Sequence, residues 1–183
     1  MRKPYPINFM HKSSQKGFSL FIVLMVMIVV AFFVVSVTQS YNTEQRISTN
    51  DADRKFASAL AEAALRQGER RIAGFYGKII TFSQNCQDGL CSSAGDEPKN
   101  IGDIRIEADT SGEVAWQRSC GSQTCLELNG GELSNSGVRR NPRYIIEYIS
   151  TQEDSSLIYR VTAKAWGKNA NTTVTLQSYV AAN

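Results

Sequence analysis

The residues best placed to do chemistry are four cysteines in two pairs of equal spacing: Cys86 and Cys91 in CQDGLC, and Cys120 and Cys125 in CGSQTC. Paired thiols serve as zinc ligands or as disulfides. Structural zinc prefers closer C-x2-C-type spacing, and the single histidine, His11, lies far from both pairs in the sequence. Disulfides are the expected chemistry, with three connectivities open. Asp88-Gly89 is a tight-turn dipeptide that lets Cys86 reach Cys91. Each local ring would restrain the unfolded chain by about 2 kcal/mol, against about 4 kcal/mol for a Cys86–Cys120 crosslink. The local pairs are the expected ones.

Catalytic constellations are missing from the sequence. There is no Gly-rich phosphate loop, no G-x-S-x-G and no histidine metal motif. His11 lies among the first seventeen residues, and without it the chain has neither the commonest general base nor the usual pH switch. Glu62 and Glu69 share one helical face, but carboxylates at that spacing are surface partners, and Glu62 with Arg66 has the favourable i,i+4 orientation. An enzyme, a cofactor and a bound metal are not expected.

Residues 1–17, MRKPYPINFMHKSSQKG, hold Arg2, Lys3, Lys12 and Lys16 and no acid. Positive charge on this side predicts that it stays cytoplasmic. Phe18 to Val37 is an apolar run interrupted only by the small hydroxyls Ser19 and Ser36. Twenty residues at about 1.5 Å each give about 30 Å, the thickness of a bilayer's hydrocarbon core. A secretory signal would have a shorter core and a small-residue cleavage site, and TQSYNTEQR offers none. The whole chain has 20 basic and 17 acidic residues, a formal charge of +3; without the four basic residues of 1–17 it is 16 against 17, or −1. A nucleic-acid footprint needs a basic patch, and the densest candidate, Arg66 with Gly68-Glu69-Arg70-Arg71, is interrupted by acid. It reads as a solvated helical face, so no nucleic-acid partner is expected.

The Gly17-Phe18 junction, set between a basic leader and an apolar helix, resembles the processing site of type IV pilin-like precursors. The likeness extends through LFIVLMVMIVVAFFVVSVTQSYNTEQRIS, AEAALRQGE and YRVTAKAWGKN, which together look like minor pilins of the PilX/PilK type, while about residues 77 to 142 match no known pattern. The resemblance implies that a membrane aspartic peptidase cuts between Gly17 and Phe18 and that Phe18 is then N-methylated. A small residue before the cut lets a peptidase approach the backbone closely. It implies insertion in the bacterial inner membrane with the head in the periplasm, then incorporation at low copy into a pilus. The implied partners are the other minor pilins and the major pilin, met through the N-terminal helix, the prepilin peptidase/methylase and the inner-membrane assembly platform. One position departs from the family: most members have glutamate four residues after the first mature residue, and here that place is Ile22.

Beyond the span, Phe56, Leu60, Ala64, Gly68, Ile72 and Tyr76 recur every four residues, with Ala59, Ala63 and Phe75 beside them, predicting an amphipathic helix to near Tyr76. With no proline between Pro6 and Pro98, one helix of about 90 Å is expected, joined through the polar residues 38–50. IGDIRIE and EVAWQ are weak strand candidates; RYIIEYI, LIYRVTAKAW and TTVTLQSYV are strong ones, turning at TQEDSS and GKNAN into an antiparallel meander. NGGELSNSGVRRNP, from Asn129 to Pro142, is the longest turn-rich stretch before it. The expected fold is α+β, a long N-terminal helix packed on a small antiparallel sheet. Its segments are a leader (1–17), a membrane and assembly helix (18–37), its amphipathic continuation (38–76) and a globular head (77–183). Exposed aromatics such as Tyr76 or Trp116 are candidate contacts with another subunit, though such residues more often lie in a core.

The expected function is that of a minor pilin helping to initiate pilus assembly at the tip. Other readings are an anchored periplasmic binding or adhesion protein, which would keep Gly17-Phe18 intact, and a type II secretion pseudopilin, which would share the processing.

Overall fold

Phe18 opens a helix, α1 (Phe18–Ala73), that takes in the apolar run, the polar joint and the amphipathic stretch. The computed structural model describes residues 18–134 and 137–182. No glycine or proline occurs from Phe18 to Gln67, so nothing covalent interrupts the i→i+4 ladder. The helix ends at Ala73, where Arg70 and Arg71 complement the negative end of its dipole. Tyr76 lies past that end and is 90% exposed, so it is not part of the core stripe.

The chain falls into two units divided between Ser48 and Thr49. The first, as far as it is described, is helix alone. The second contains the rest of α1 and, in order, β1 (Ile80–Phe82), β2 (Leu90–Cys91), β3 (Lys99–Ile101), β4 (Ile104–Ile106), β5 (Ser119–Cys120), β6 (Gln123–Thr124), α2 (Cys125–Asn129), β7 (Gly131–Glu132), β8 (Arg143–Thr151), β9 (Leu157–Trp166) and β10 (Thr173–Ala182).

The main sheet has the order β10-β9-β8-β2, with β7 also on β8. β8, β9 and β10 form the expected antiparallel meander, and β2 joins in parallel. IGDIRIE contributes to β3 and β4, a hairpin that β1 extends in parallel. EVAWQ is not a strand: Ala115, Trp116 and Gln117 form a turn closed by Gln117 N–H and Arg118 N–H on the Val114 carbonyl. The turn-rich stretch from Asn129 to Pro142 begins with the end of α2 and contains β7.

The face that α1 buries is Ala57, Ala61, Ala64, Gly68 and Ile72. It shares Ala64, Gly68 and Ile72 with the expected stripe but not Phe56 or Leu60, which are half-buried, or Ala59, which is exposed. At about 100° per residue a strict four-residue repeat precesses around the helix, so a straight contact must mix steps of three and four. Small residues in that stripe bring the helix close to the sheet. A Cβ on Gly68 would lie 2.5 Å from Cγ1 of Val161 and 3.0 Å from Cδ2 of Tyr144, and Val161 is fully buried. Gly68→Ala gains about 1 kcal/mol of helix propensity, yet overpacking at about 1–3 kcal/mol outweighs it. Gly68→Leu should destabilise the head by about 3 kcal/mol, checked by denaturant titration.

Side chains alternate across the sheet. Tyr144, Ile146, Tyr148, Tyr159, Val161 and Ala163 meet α1 and join Phe82, Leu90, Ile104 and Ile106 in the principal core. The opposite face is covered as well. Ile145 is fully buried there against Leu126, Ala115 and three of the four cysteines, which is why β8 and β9 carry buried residues at successive positions. At the other end of the meander, Asp53 accepts from the Lys168 and Asn169 N–H groups at 2.6 and 3.2 Å, pinning the β9–β10 turn to α1. The hydrogen bond with Thr172, together with these, holds its carboxyl below the ordinary range.

Candidate functional site

The largest apolar surface belongs to the first half of α1. Its large hydrophobic residues from Phe18 to Val37 are between 48% and 72% exposed. No charged residue occurs from Phe18 to Thr43. The hydroxyls in this stretch are satisfied inside the helix: Ser36 Oγ donates to the Phe32 carbonyl at 3.0 Å and Thr38 Oγ1 to that of Val35 at 2.9 Å. A helix apolar all round needs lipid or other helices about it, and among the described residues this is the one helix whose length and composition suit a membrane crossing. Phe18 is its first residue. Ile22, about one turn on, shows an aliphatic side chain that is 48% exposed. Gly17 lies outside the described residues.

In the head, the cysteines pair locally, Cys86 with Cys91 and Cys120 with Cys125, with Cα–Cα distances of 4.1 and 4.8 Å. The first ring closes over a 3-10 turn at Gln87–Gly89, in which Asp88 and Gly89 have φ of 52° and 75°. Only glycine adopts that conformation freely, and a Cβ on Gly89 would lie 2.6 Å from the Gly131 nitrogen. Thr124 caps α2 through the Glu127 N–H at 3.3 Å, which seats Cys125 in the second core. Alkylation of the folded, purified protein should label no cysteine, and metal analysis should find no stoichiometric zinc. Reduction should cost about 2 kcal/mol per ring.

A buried ionic network ties these loops together. Arg118 reaches the Gln84, Ser92 and Glu113 carbonyls at 2.9, 3.0 and 3.1 Å, and lies 3.2 Å from the Asp109 carboxylate. Asp109 accepts in turn from Ser111 Oγ and from the Gly95, Ser111 and Gly112 N–H groups. Burial alone would raise its carboxyl, but these bonds and the guanidinium outweigh it and hold it below the usual range. Across the sheet, Arg160 grips Glu147 with two bonds of 2.9 and 2.7 Å, and Trp116 lies 4.5 Å from the same guanidinium. Glu147 is fully buried, and burial pushes its carboxyl up despite that grip. Burial also pushes the Tyr159 phenol up to about 12.

Arg118 with Asp109, and Arg160 with Glu147, are thus engaged with each other. An open cleft of about 670 Å³ beside the first disulfide ring is lined by Arg71, Asp88, Glu132 and Arg143. Arg71 donates to the Asp88 carbonyl, and Arg143 pairs with Glu132 at 2.9 Å. Among the described residues no three His, Cys, Asp or Glu side chains gather as metal ligands would.

The predicted positions thus separate. Phe18 and Ile22 lie on the exposed apolar helix, whereas the four cysteines brace the far face of the sheet. Trp116 is half-buried under Arg160 in the second core, and Tyr76 is exposed. Sequence reasoning missed the Arg118–Asp109 network, whose only local signal is the turn-forming Asp109-Thr-Ser-Gly112, and the Glu147–Arg160 pair, which exists only through the β8–β9 register.

Two family models match the chain: PilX N-terminal over residues 16–66, and Type IV pilus assembly protein PilX C-term over residues 87–182. No curated protein and no solved structure matches.

Proposed function

Because the chain belongs to the PilX family of type IV pilus assembly proteins, we propose that it is a processed minor pilin that enters the filament at low copy and helps start its assembly at the tip. Residues 1–17 form the leader, cut between Gly17 and Phe18, and Phe18 becomes the methylated N-terminus. Residues 18–37 hold the unassembled subunit in the inner membrane with its head in the periplasm. The observation that carries this reading is an apolar helix long enough to cross a membrane, in a chain matched by pilus-assembly models at both ends. On extraction, lipid contacts are exchanged for helix contacts at nearly conserved burial, so association rests on packing and a few polar contacts. No part of this role requires catalysis by the subunit.

Ile22 supports the tip. An unpaired charge among apolar helices is expensive, so glutamate at this place in other members would neutralise the terminal amine of a neighbour. A subunit with Ile22 offers no such acceptor to one above it, while its own Phe18 amine can still be met by a glutamate from below. It fits best where nothing precedes it. Deleting the chain should lower filament number without changing filament structure, whereas Ile22→Glu should be tolerated or slightly alter copy number. Immunogold counting tests this: label spread evenly along shafts, at the abundance of the main pilin, would reject the tip position.

A further inference from the structure

One outer edge of the main sheet is β10, which among the described residues pairs only with β9. The direction of its free main-chain groups follows from the turn. Gly167 N–H donates to the Thr172 carbonyl at 2.8 Å, marking that pair as hydrogen-bonded. Alternation along the register from Thr173↔Trp166 to Ala182↔Leu157 then turns the N–H and C=O groups of Thr173, Thr175, Gln177, Tyr179 and Ala181 away from β9.

Sheet edges in soluble heads are protected by shortness, charge or proline. β2 and β7, also at the margins of this sheet, are two residues long. β10 is ten residues long and its sequence, TVTLQSYVAA, has neither charge nor proline. On its α1 side, Val174, Leu176, Val180 and Ala182 are only half-buried. Its last residue also lines a second cleft, of about 500 Å³, shared with Ile72, Phe75, Leu157 and Tyr159 and bordered by the exposed Tyr76.

We propose that β10 is the docking edge for an extended, uncharged strand of another pilus subunit, whose alternate apolar side chains cover the helix side of β10 and whose end fills the cleft at Ala182. Main-chain bonds supply the affinity and the alternate pockets the specificity, as in strand addition generally. A second copy of β10 fits less well. Pairing antiparallel about a two-fold axis, it would bring its Thr173 end, with Thr173 and Thr175, toward the apolar cleft. The inference rests on the pilus reading above.

The test compares amide exchange in the full-length mature chain, alone in detergent and within sheared pili. Alone, the Thr175, Gln177 and Tyr179 amides should exchange at least a hundredfold faster than those of Leu176, Ser178 and Val180, which are bonded to β9. Within pili the two sets should be similarly protected. Thr175→Pro removes one outward N–H and keeps the β9 ladder, so the variant should retain its melting temperature within a few degrees and lose at least tenfold of its recovery in pili. Outward amides equally fast in both samples, or undiminished recovery of Thr175→Pro, would overturn the docking edge while leaving the minor-pilin reading intact. A detergent-solubilised dimer with protected outward amides would assign the edge to a second copy and overturn the proposal too. Absence of the chain from pili would overturn both.

Discussion

Replacing Gly17 with tryptophan should abolish maturation: the protein recovered from membranes keeps Met1 to Gly17, and none reaches sheared pili. In the processing proposed above, the bond after Gly17 enters a peptidase that approaches its backbone closely, and a bulky side chain beside it would prevent that approach. Residues 1–17, when retained, add four positive charges next to an apolar segment that has no charged side chain. Those charges cannot follow the helix into a bundle of neighbouring helices without heavy desolvation, so the effect is all or none. Intact mass and N-terminal sequencing check it. Wild-type protein should begin at a methylated Phe18, and wild-type protein still carrying residues 1–17 would favour a static membrane anchor.

Arg118→Met should unfold a large part of the head, at a cost of about 3–5 kcal/mol, a substantial fraction of the 5–15 kcal/mol typical of a domain. The Arg118 side chain is 3% exposed and that of Asp109 is fully buried. Removing the guanidinium strips three carbonyls of a donor and leaves a buried carboxylate without its cation. The deficit should depend on pH with a definite sign. In the wild type the Asp109 carboxyl is depressed, so its contribution is present above the unfolded value of about 3.9 and lost as pH falls through the lower folded value. Without Arg118 the carboxyl titrates higher and can neutralise itself as acid is added. The difference in stability between variant and wild type should therefore be widest near neutral pH and narrow toward pH 4, read from urea titrations. Adding Asp109→Asn to Arg118→Met should recover part of the loss, because the uncompensated charge is gone. Equal deficits at both pH values would show that lost packing, and not charge, dominates.

The helix and the meander were legible because each is set by local periodicity. An apolar run of twenty residues without glycine or proline is too long for a strand and reads as a helix, and the alternation in LIYRVTAKAW makes a strand. The phase of the helical stripe was less legible. Phe56 and Leu60 are better hydrophobes than Ala57 and Ala61, yet the two alanines are the fully buried ones, on the same face as Gly68, where the helix approaches Val161 and Tyr144 closely. EVAWQ has strand-like composition, but Arg118 draws the Glu113 carbonyl inward and the segment turns to bring Trp116 over Arg160. Tertiary contacts overrode propensity there.

By itself the sequence determined the charge of residues 1–17, the apolar length of residues 18–37, the aliphatic side chain at position 22 and the short separation within each cysteine pair. These depend on residue type and on spacing over a few positions, which no fold can alter. Only the tertiary structure decided what covers the second face of the sheet, which buried charges meet as Arg118–Asp109 and Glu147–Arg160, and which strand is left with an open edge. Those outcomes depend on register and on loops that return from distant parts of the chain, and a pairing between strands fixes the neighbours of every side chain on both faces at once.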